Sequence, residues 1–170
     1  MAWISLAFVA ALSGAANAPG DRVLTSHSFG HVQTGMSLRK AEEALGNRLR
    51  VDRSQDPSGY CVYAYRADGS DSGVGYMLIG DRIERIDVEL KNARSVRTAE
   101  GLGYGATVRA VKRAYGSRAA PDHTDYAEPS DVVVKDQGGK RGVRFAFQDG
   151  KLAWLIAGNY PALSFSEGCL

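Results

Sequence analysis

Gly35-Met-Ser-Leu-Arg-Lys-Ala-Glu-Glu-Ala-Leu-Gly46 is written a second time, seventy residues on, as Gly105-Ala-Thr-Val-Arg-Ala-Val-Lys-Arg-Ala-Tyr-Gly116. Both copies read Gly-x-[Ser/Thr]-[Leu/Val]-Arg-x-[Ala/Val]-x-x-Ala-[Leu/Tyr]-Gly, so the residues they share are architectural before they are anything else. Ser37 is a good helix N-cap, because its hydroxyl accepts a backbone N–H that the first turn leaves unpaired. Leu38, Ala41, Ala44 and Leu45 then fall on one helical face, with Arg39, Lys40, Glu42 and Glu43 turned outward. Gly46 stands where a left-handed residue ends a helix. Thr107, the stripe Val108, Val111, Ala114 and Tyr115, and finally Gly116 repeat the design.

The correspondence continues outward from the helices. Asp56-Pro-Ser-Gly59 precedes the strand-like Tyr60-Cys-Val-Tyr-Ala-Tyr65, and Glu128-Pro-Ser-Asp131 precedes Val132-Val-Val134. Tyr76-Met-Leu-Ile79, a Gly80-Asp81 turn and a strand from Arg82 to Leu90 are matched by Arg144-Phe-Ala-Phe147, a turn Gln148-Asp-Gly150 and a strand from Lys151 to Ala157. Gly-Asp and Asp-Gly between apolar runs are hairpin signals. Each unit therefore reads as helix, strand, hairpin, strand. A single unit has one apolar helix stripe and one apolar sheet face, too little for a core of its own. Two units side by side predict an α+β fold, one continuous antiparallel sheet with both helices on one face. The expected boundaries are a lead-in over 19–34 with a short edge strand at Val23-Leu24, unit 1 over 35–90, a linker over 91–104, unit 2 over 105–160 and a tail over 161–170.

This helix followed by three strands resembles the beta-lactamase-inhibitor-protein-like superfamily, across about residues 35–160. That group includes single-unit outer-membrane assembly lipoproteins of the SmpA/OmlA type and tandem inhibitor proteins with two units. The resemblance implies an exported, non-catalytic scaffold that binds other proteins. Two features depart from the SmpA/OmlA pattern: no lipid-accepting Cys is present near the start, and Gly46 is followed by Asn-Arg-Leu rather than Leu-Gly-x-Pro.

Ile4-Ser-Leu-Ala-Phe-Val-Ala-Ala-Leu12 followed by Ser13-Gly-Ala-Ala-Asn-Ala18 reads as a signal peptide over 1–18, too short an apolar run to span a bilayer. The expected location is periplasmic or secreted, with no stable membrane insertion. The two cysteines, Cys61 and Cys169, form an even pair in such a chain and predict a disulfide that ties the tail to unit 1. A net charge of +2 gives no reason to expect nucleic acid. Unit 1 holds eight basic and ten acidic side chains and unit 2 holds nine and six, so the two have drifted apart in charge.

Among candidate chemistries, Gly101-Leu-Gly-Tyr-Gly105 stands before a helix as phosphate loops do. Yet Gly105 matches Gly35, where no glycine-rich loop exists, so a structural turn is expected. His27 and His31 are four apart but separated by poor helix material and lack a third ligand, so no metal site is predicted. No cofactor is implied, and Ser37 lacks a nucleophile elbow. An enzyme is the least favoured class. Binding is favoured, because helices on one sheet face leave the other open. Cys61, Tyr63 and Tyr65 share one side of their strand, and Leu152, Trp154 and Ile156 are expected to share a side of theirs. Tyr63, Tyr65, Tyr76 and Trp154 would form an aromatic platform ringed by Arg66, Arg85 and Arg144, the residue types that dominate interfaces. Alternation leaves open which side faces the helices; on the covered side these aromatics are core. Arg109, Lys112 and Arg113 form a basic patch on the second helix. The leading expectation is a binder of a protein partner in the envelope or extracellular space, either an enzyme inhibitor or an assembly helper. The alternative is a small-ligand module for glycan or peptidoglycan fragments.

Overall fold

The computed structural model describes residues 22–123 and 130–169. The expected leader and Glu128-Pro129 lie outside them. Three two-residue strands come first, β1 (Val23–Leu24), β2 (Ser28–Phe29) and β3 (Val32–Gln33), then helix α1 (Leu38–Leu45). Four strands follow, β4 (Leu49–Asp52), β5 (Cys61–Arg66), β6 (Val74–Ile79) and β7 (Arg82–Glu89), and then the short β8 (Arg97–Thr98). Helix α2 (Val108–Tyr115) precedes β9 (Ala119–Pro121), β10 (Val132–Lys135), β11 (Arg141–Gln148) and β12 (Lys151–Asn159).

The chain is α+β with two sheets and two short helices. The large sheet has eight strands in the order β4-β5-β6-β7-β12-β11-β10-β9, every pair antiparallel. A second sheet, β3-β2-β1-β8, corrects the expectation of a single sheet: lead-in and linker residues pair through Val23↔Arg97 and Leu24↔Thr98. Leu24, Phe29 and Val32 are apolar enough to be buried in the common core, which is why this segment folds back rather than trailing. The reading of three strands per half also needs correction. β4 and β9 add a fourth strand to each edge. Both are short and carry charge or proline, the features that keep an edge from recruiting further strands and also mask it in sequence.

Each helix is opened in the same way. The Ser37 hydroxyl accepts from Lys40 N at 3.4 Å and the Thr107 hydroxyl from Ala110 N at 3.3 Å. Gly35 N donates to Ile83 O and Ile83 N to Met36 O, at 2.7 and 2.9 Å. Gly105 N likewise donates to Leu152 O and Leu152 N to Ala106 O, at 3.0 and 2.7 Å. The start of each helix is thus tied to the second residue of a hairpin strand, and Ala41 and Val111 bury against one core with Val62, Ala64, Ile83, Phe145 and Leu152. Tyr115 of α2 packs on Phe145, ring centroids 5.5 Å apart.

The hairpin strands change face part-way along. Met77 pairs with Arg85 but Leu78 pairs with Ile83, leaving Glu84 as an extra residue; Ala146 pairs with Trp154 but Phe147 with Leu152, leaving Ala153 extra. Each bulge shifts the alternation by one residue. Ile83 and Leu152 therefore lie on the helix side with Ile86 and Leu155, while Arg85 and Trp154 emerge on the opposite side. This corrects the expectation that Leu152 and Trp154 share a side. Past the bulges the two hairpins meet along β7 and β12 in register Trp154↔Glu89 to Gly158↔Arg85. A Cβ at Gly158 would stand 2.4 Å from Glu84 O, so the approach of these strands requires glycine there.

Tyr76 is also placed differently from the expectation. It is opposite Ala64, on the helix side, and is fully buried in the core rather than on a platform. Its hydroxyl has no hydrogen-bond partner among the described residues, and burial pushes its pKa up to about 12. An unpaired buried hydroxyl costs about 1–3 kcal/mol, so Tyr76→Phe is expected to leave stability at neutral pH unchanged or raise it by about 1 kcal/mol. Above pH 10 the unfolded phenol loses its proton while the folded one keeps it. The stability of the wild type should then fall by about 1.4 kcal/mol per pH unit for this group, up to pH 12. Urea melts across pH 8–11.5 check this: the slope attributable to residue 76 should vanish in Tyr76→Phe.

Candidate functional site

The face of the large sheet away from the helices is built from residues that alternate with the core. On β5 these are Cys61, Tyr63 and Tyr65, all half-buried, whereas Val62 and Ala64 point inward. The rings of Tyr63 and Tyr65 stack, with centroids 6.1 Å apart and planes at 19°. They lie over Gly75 of β6, where a Cβ would meet Tyr65 at 3.1 Å and Tyr63 at 3.2 Å, so the missing side chain is what admits both rings. The Arg50 guanidinium is 5.7 Å from the Tyr65 ring centroid. Trp154 reaches the same face through the Ala153 bulge and remains 36% exposed.

Between Tyr63 and Trp154 runs a polar cluster centred on Arg85, which is 3% exposed. Its Nε and Nη2 donate to the two carboxylate oxygens of Asp87, both at 2.8 Å, a forked pairing that lysine would not reproduce. Nη2 also donates to Tyr63 Oη at 2.7 Å, and that hydroxyl donates to Asp87 Oδ2 at 2.6 Å. Burial and the adjacent carboxylate raise the Tyr63 pKa far above its ordinary value, so the phenol stays protonated. Burial alone would lower the Arg85 pKa, but Asp87 and Tyr63 more than offset it, and the guanidinium keeps its charge.

The C-terminal tail covers part of this face. After β12 it forms a short 3-10 turn at Ala162–Ser164 in which Ala162 and Leu163 are buried. Arg85 Nη1 donates to Ala162 O at 3.1 Å and to Phe165 O at 2.6 Å. Arg144 Nη1 donates to Leu163 O at 3.4 Å, and its Nε to Asp122 Oδ2 at 2.6 Å, in a pair that is almost fully buried. Gly168 passes so close to Tyr63 that a Cβ there would stand 2.9 Å from the phenol oxygen. Cys169 of the tail is disulfide-bonded to Cys61 with Cα atoms 5.3 Å apart, as the cysteine count predicts. Arg85 and Arg144 are therefore not an exposed ring around a platform, as expected, but the anchors of the tail. Arg66 is on the helix side of β5, paired with Asp68 at 2.9 Å.

What remains open is a groove of about 440 Å³ between the tail and the β11–β12 strands, lined by Tyr63, Asp87, Ala146, Trp154, Ile156 and Glu167. Of the expected binding residues, the structure brings Tyr63, Tyr65 and Trp154 to this face, with Arg85 and Arg144 beneath the tail and Tyr76 on the far side. The sequence reading missed the part played by the tail, Asp122 and Glu167. It also missed the bulges, although the signal is there: apolar positions 83, 86 and 88, and again 152, 155 and 157, are spaced by three and then two.

The remaining candidates have structural places. Gly105 forms the turn onto Leu152, and Arg109, Lys112 and Arg113 are exposed on α2. His27 and His31 occupy the hairpin turns of the small sheet, and no three His, Cys, Asp or Glu side chains gather as metal ligands among the described residues. No helix among the described residues is long and apolar enough to cross a membrane. No protein-family model, curated protein or solved structure matches the chain.

Proposed function

We propose that this chain is a tandem pair of one helix-and-four-strand unit, and that it acts outside the cytoplasm as a non-catalytic binding protein. The observation that carries the binding reading is the unequal cover of the two sheet faces, since the tail covers only part of the face opposite the helices. Both helices lie on one face, while Trp154, Tyr63 and Tyr65 lie on the other beside an open groove. Aromatic side chains held on rigid strands present large contact area at little entropic cost, which is what protein interfaces select. The tandem reading is supported by the matching helix openings and by bulges at Glu84 and Ala153, sixty-nine residues apart on matching strands. It accords with the resemblance to the beta-lactamase-inhibitor-like proteins. Export is supported by the leader-like start and by a disulfide, a bond that persists in oxidising compartments.

The partner is a protein of the envelope or extracellular space whose apolar side chains sit against Trp154, Ile156 and Tyr65. Immobilised protein should capture it from an envelope extract. Tyr65→Ala should reduce capture at least about tenfold while the melting transition stays cooperative. Equal capture by both proteins, or no selective partner for the wild type, would overturn the proposal.

A further inference from the structure

Four large apolar side chains are markedly exposed among the described residues: Tyr60, Tyr104, Trp154 and Phe165. Two of these, Tyr104 and Trp154, line one pocket of about 330 Å³ at the start of β12, which shares Trp154 with the tail groove but no other lining residue. Its polar lining includes Glu89, Lys91, Gln148 and Asp149. The volume is at the lower end of the ~300–1,000 Å³ range of small-molecule sites, and the lining combines two rings with a few convergent polar groups.

The pocket is held in place by backbone rather than by side-chain chance. Trp154 is aimed by the Ala153 bulge, and Leu90 N donates to Ala153 O at 2.9 Å. Tyr104 is set between Gly103 and Gly105 in the turn whose Gly105 N donates to Leu152 O, and the Arg94 guanidinium stacks 4.6 Å from its ring centroid. Asp149 sits in a tight hairpin turn with φ of 52°, followed by Gly150 at 71°, a two-residue geometry with little freedom. Glu89 Oε2 accepts from Asn92 Nδ2 at 2.8 Å, which orients its carboxylate. Such preorganisation lowers the cost of ordering a site when a ligand arrives.

The chemistry of the lining selects the ligand. Within the lining Glu89 and Asp149 balance Lys91 and Lys151, and the Arg94 guanidinium beside it is turned onto the Tyr104 ring, so the lining itself has no surplus of either sign to hold a phosphate or a cation. A wholly apolar ligand would strand the charged groups without water, at the cost of their desolvation. A neutral ligand with apolar C–H faces for the rings and a rim of hydroxyls for carboxylates, amide and ammonium groups satisfies both halves of the lining. We infer that this pocket is a saccharide subsite, in which a neutral sugar ring packs on Trp154 and Tyr104 while its hydroxyls bond to Glu89, Gln148 and Asp149. The inference goes beyond the protein-binding reading and shares only Trp154 with it.

The chain has two tryptophans, Trp3 and Trp154, so Trp3→Phe makes Trp154 emission the sole indole signal of the full chain. Cellobiose, maltose and N,N′-diacetylchitobiose are titrated separately, with inorganic phosphate as a further arm. A saturable emission change is expected with at least one disaccharide at millimolar concentration or below. It should weaken at least about tenfold in Tyr104→Ala and persist in Tyr65→Ala. Glu89→Gln, which leaves the fold's backbone contacts in place, should weaken it as well. Absence of a saturable change with all three disaccharides, an equal change with phosphate, or a change that survives Tyr104→Ala would overturn the inference. Tyr104→Ala should leave capture of the protein partner intact, so failure here and failure of the protein-binding reading are separately visible.

Discussion

Replacing Cys61 and Cys169 together by serine should lower the stability of the protein by about 4–5 kcal/mol. The bond closes a loop between residues 108 apart in sequence, and in the chain-entropy account a loop of order 100 residues restricts the unfolded chain by about that amount. The change should also be uneven across the molecule. Residues 166–169 approach the sheet through the disulfide and the contact of Gly168 with Tyr63, whereas the segment before them is held independently by buried Ala162 and Leu163 and by two arginines. Hydrogen exchange should thus quicken at residues 166–169 and around Tyr63 well before the seam strands respond. Urea melts of the oxidised, reduced and double-serine proteins measure the global effect. Coincident melts for all three would show that the tail lies on the sheet without the bond contributing.

The second large effect is expected at Arg85. In Arg85→Met, Asp87 keeps a charge on a side chain only 25% exposed, Tyr63 loses a donor, and the carbonyls of Ala162 and Phe165 lose theirs. Removing one partner of such a buried pair costs about 3–5 kcal/mol, a figure to be reduced toward its lower end because Asp87 still meets water. Arg85→Lys should recover little, since one ammonium does not span both oxygens of Asp87 and two tail carbonyls at once. The double variant Arg85→Met with Asp87→Leu should recover much of the loss, because the unpaired charge goes with its partner. Chemical denaturation of the wild type, Arg85→Met, Asp87→Leu and the double variant gives the coupling energy. A loss of less than about 1 kcal/mol in Arg85→Met would mean that the tail is not anchored there.

The elements most legible in the sequence are those governed by local chemistry. Ser37, Thr107 and Gly46 mark helix ends because caps depend on a hydroxyl or a left-handed residue at one position, whereas Gly116 ends α2 with φ of 57° and ψ of −133°, a different geometry from Gly46. The turns at Gly80-Asp81 and Asp149-Gly150 are legible for the same reason. The cysteine pair is readable from its even count in a chain expected to be exported. What escaped depends on register and on contacts remote in sequence. A bulge at Glu84 or Ala153 reverses the side taken by everything after it, so strict alternation placed Trp154 with Leu152. Nothing local in Tyr76-Met-Leu-Ile79 tells which of Tyr76 and Met77 faces the helices; the partner strand decides that. Arg85 and Arg144 read as surface arginines because the groups that bury them, Asp122 and the carbonyls of residues 162, 163 and 165, belong to other parts of the chain. β4 and β9 are too short to stand out from loops, and β4 carries two charges while β9 ends in proline.

The arrangement of the two sheet faces gives the proposed function its sharpest consequence, that partner capture depends on the part of the tail-side face left open and not on the helix face. Capture from an envelope extract is therefore best measured with two sets of variants side by side. One set is Tyr65→Ala and Trp154→Ala on the sheet face, and the other is Arg109→Ala and Lys112→Ala on exposed positions of α2. At least about tenfold loss is expected in the first set and no more than about a twofold change in the second, with all four proteins melting cooperatively. Loss confined to the α2 variants, or undiminished capture by Tyr65→Ala and Trp154→Ala, would contradict it.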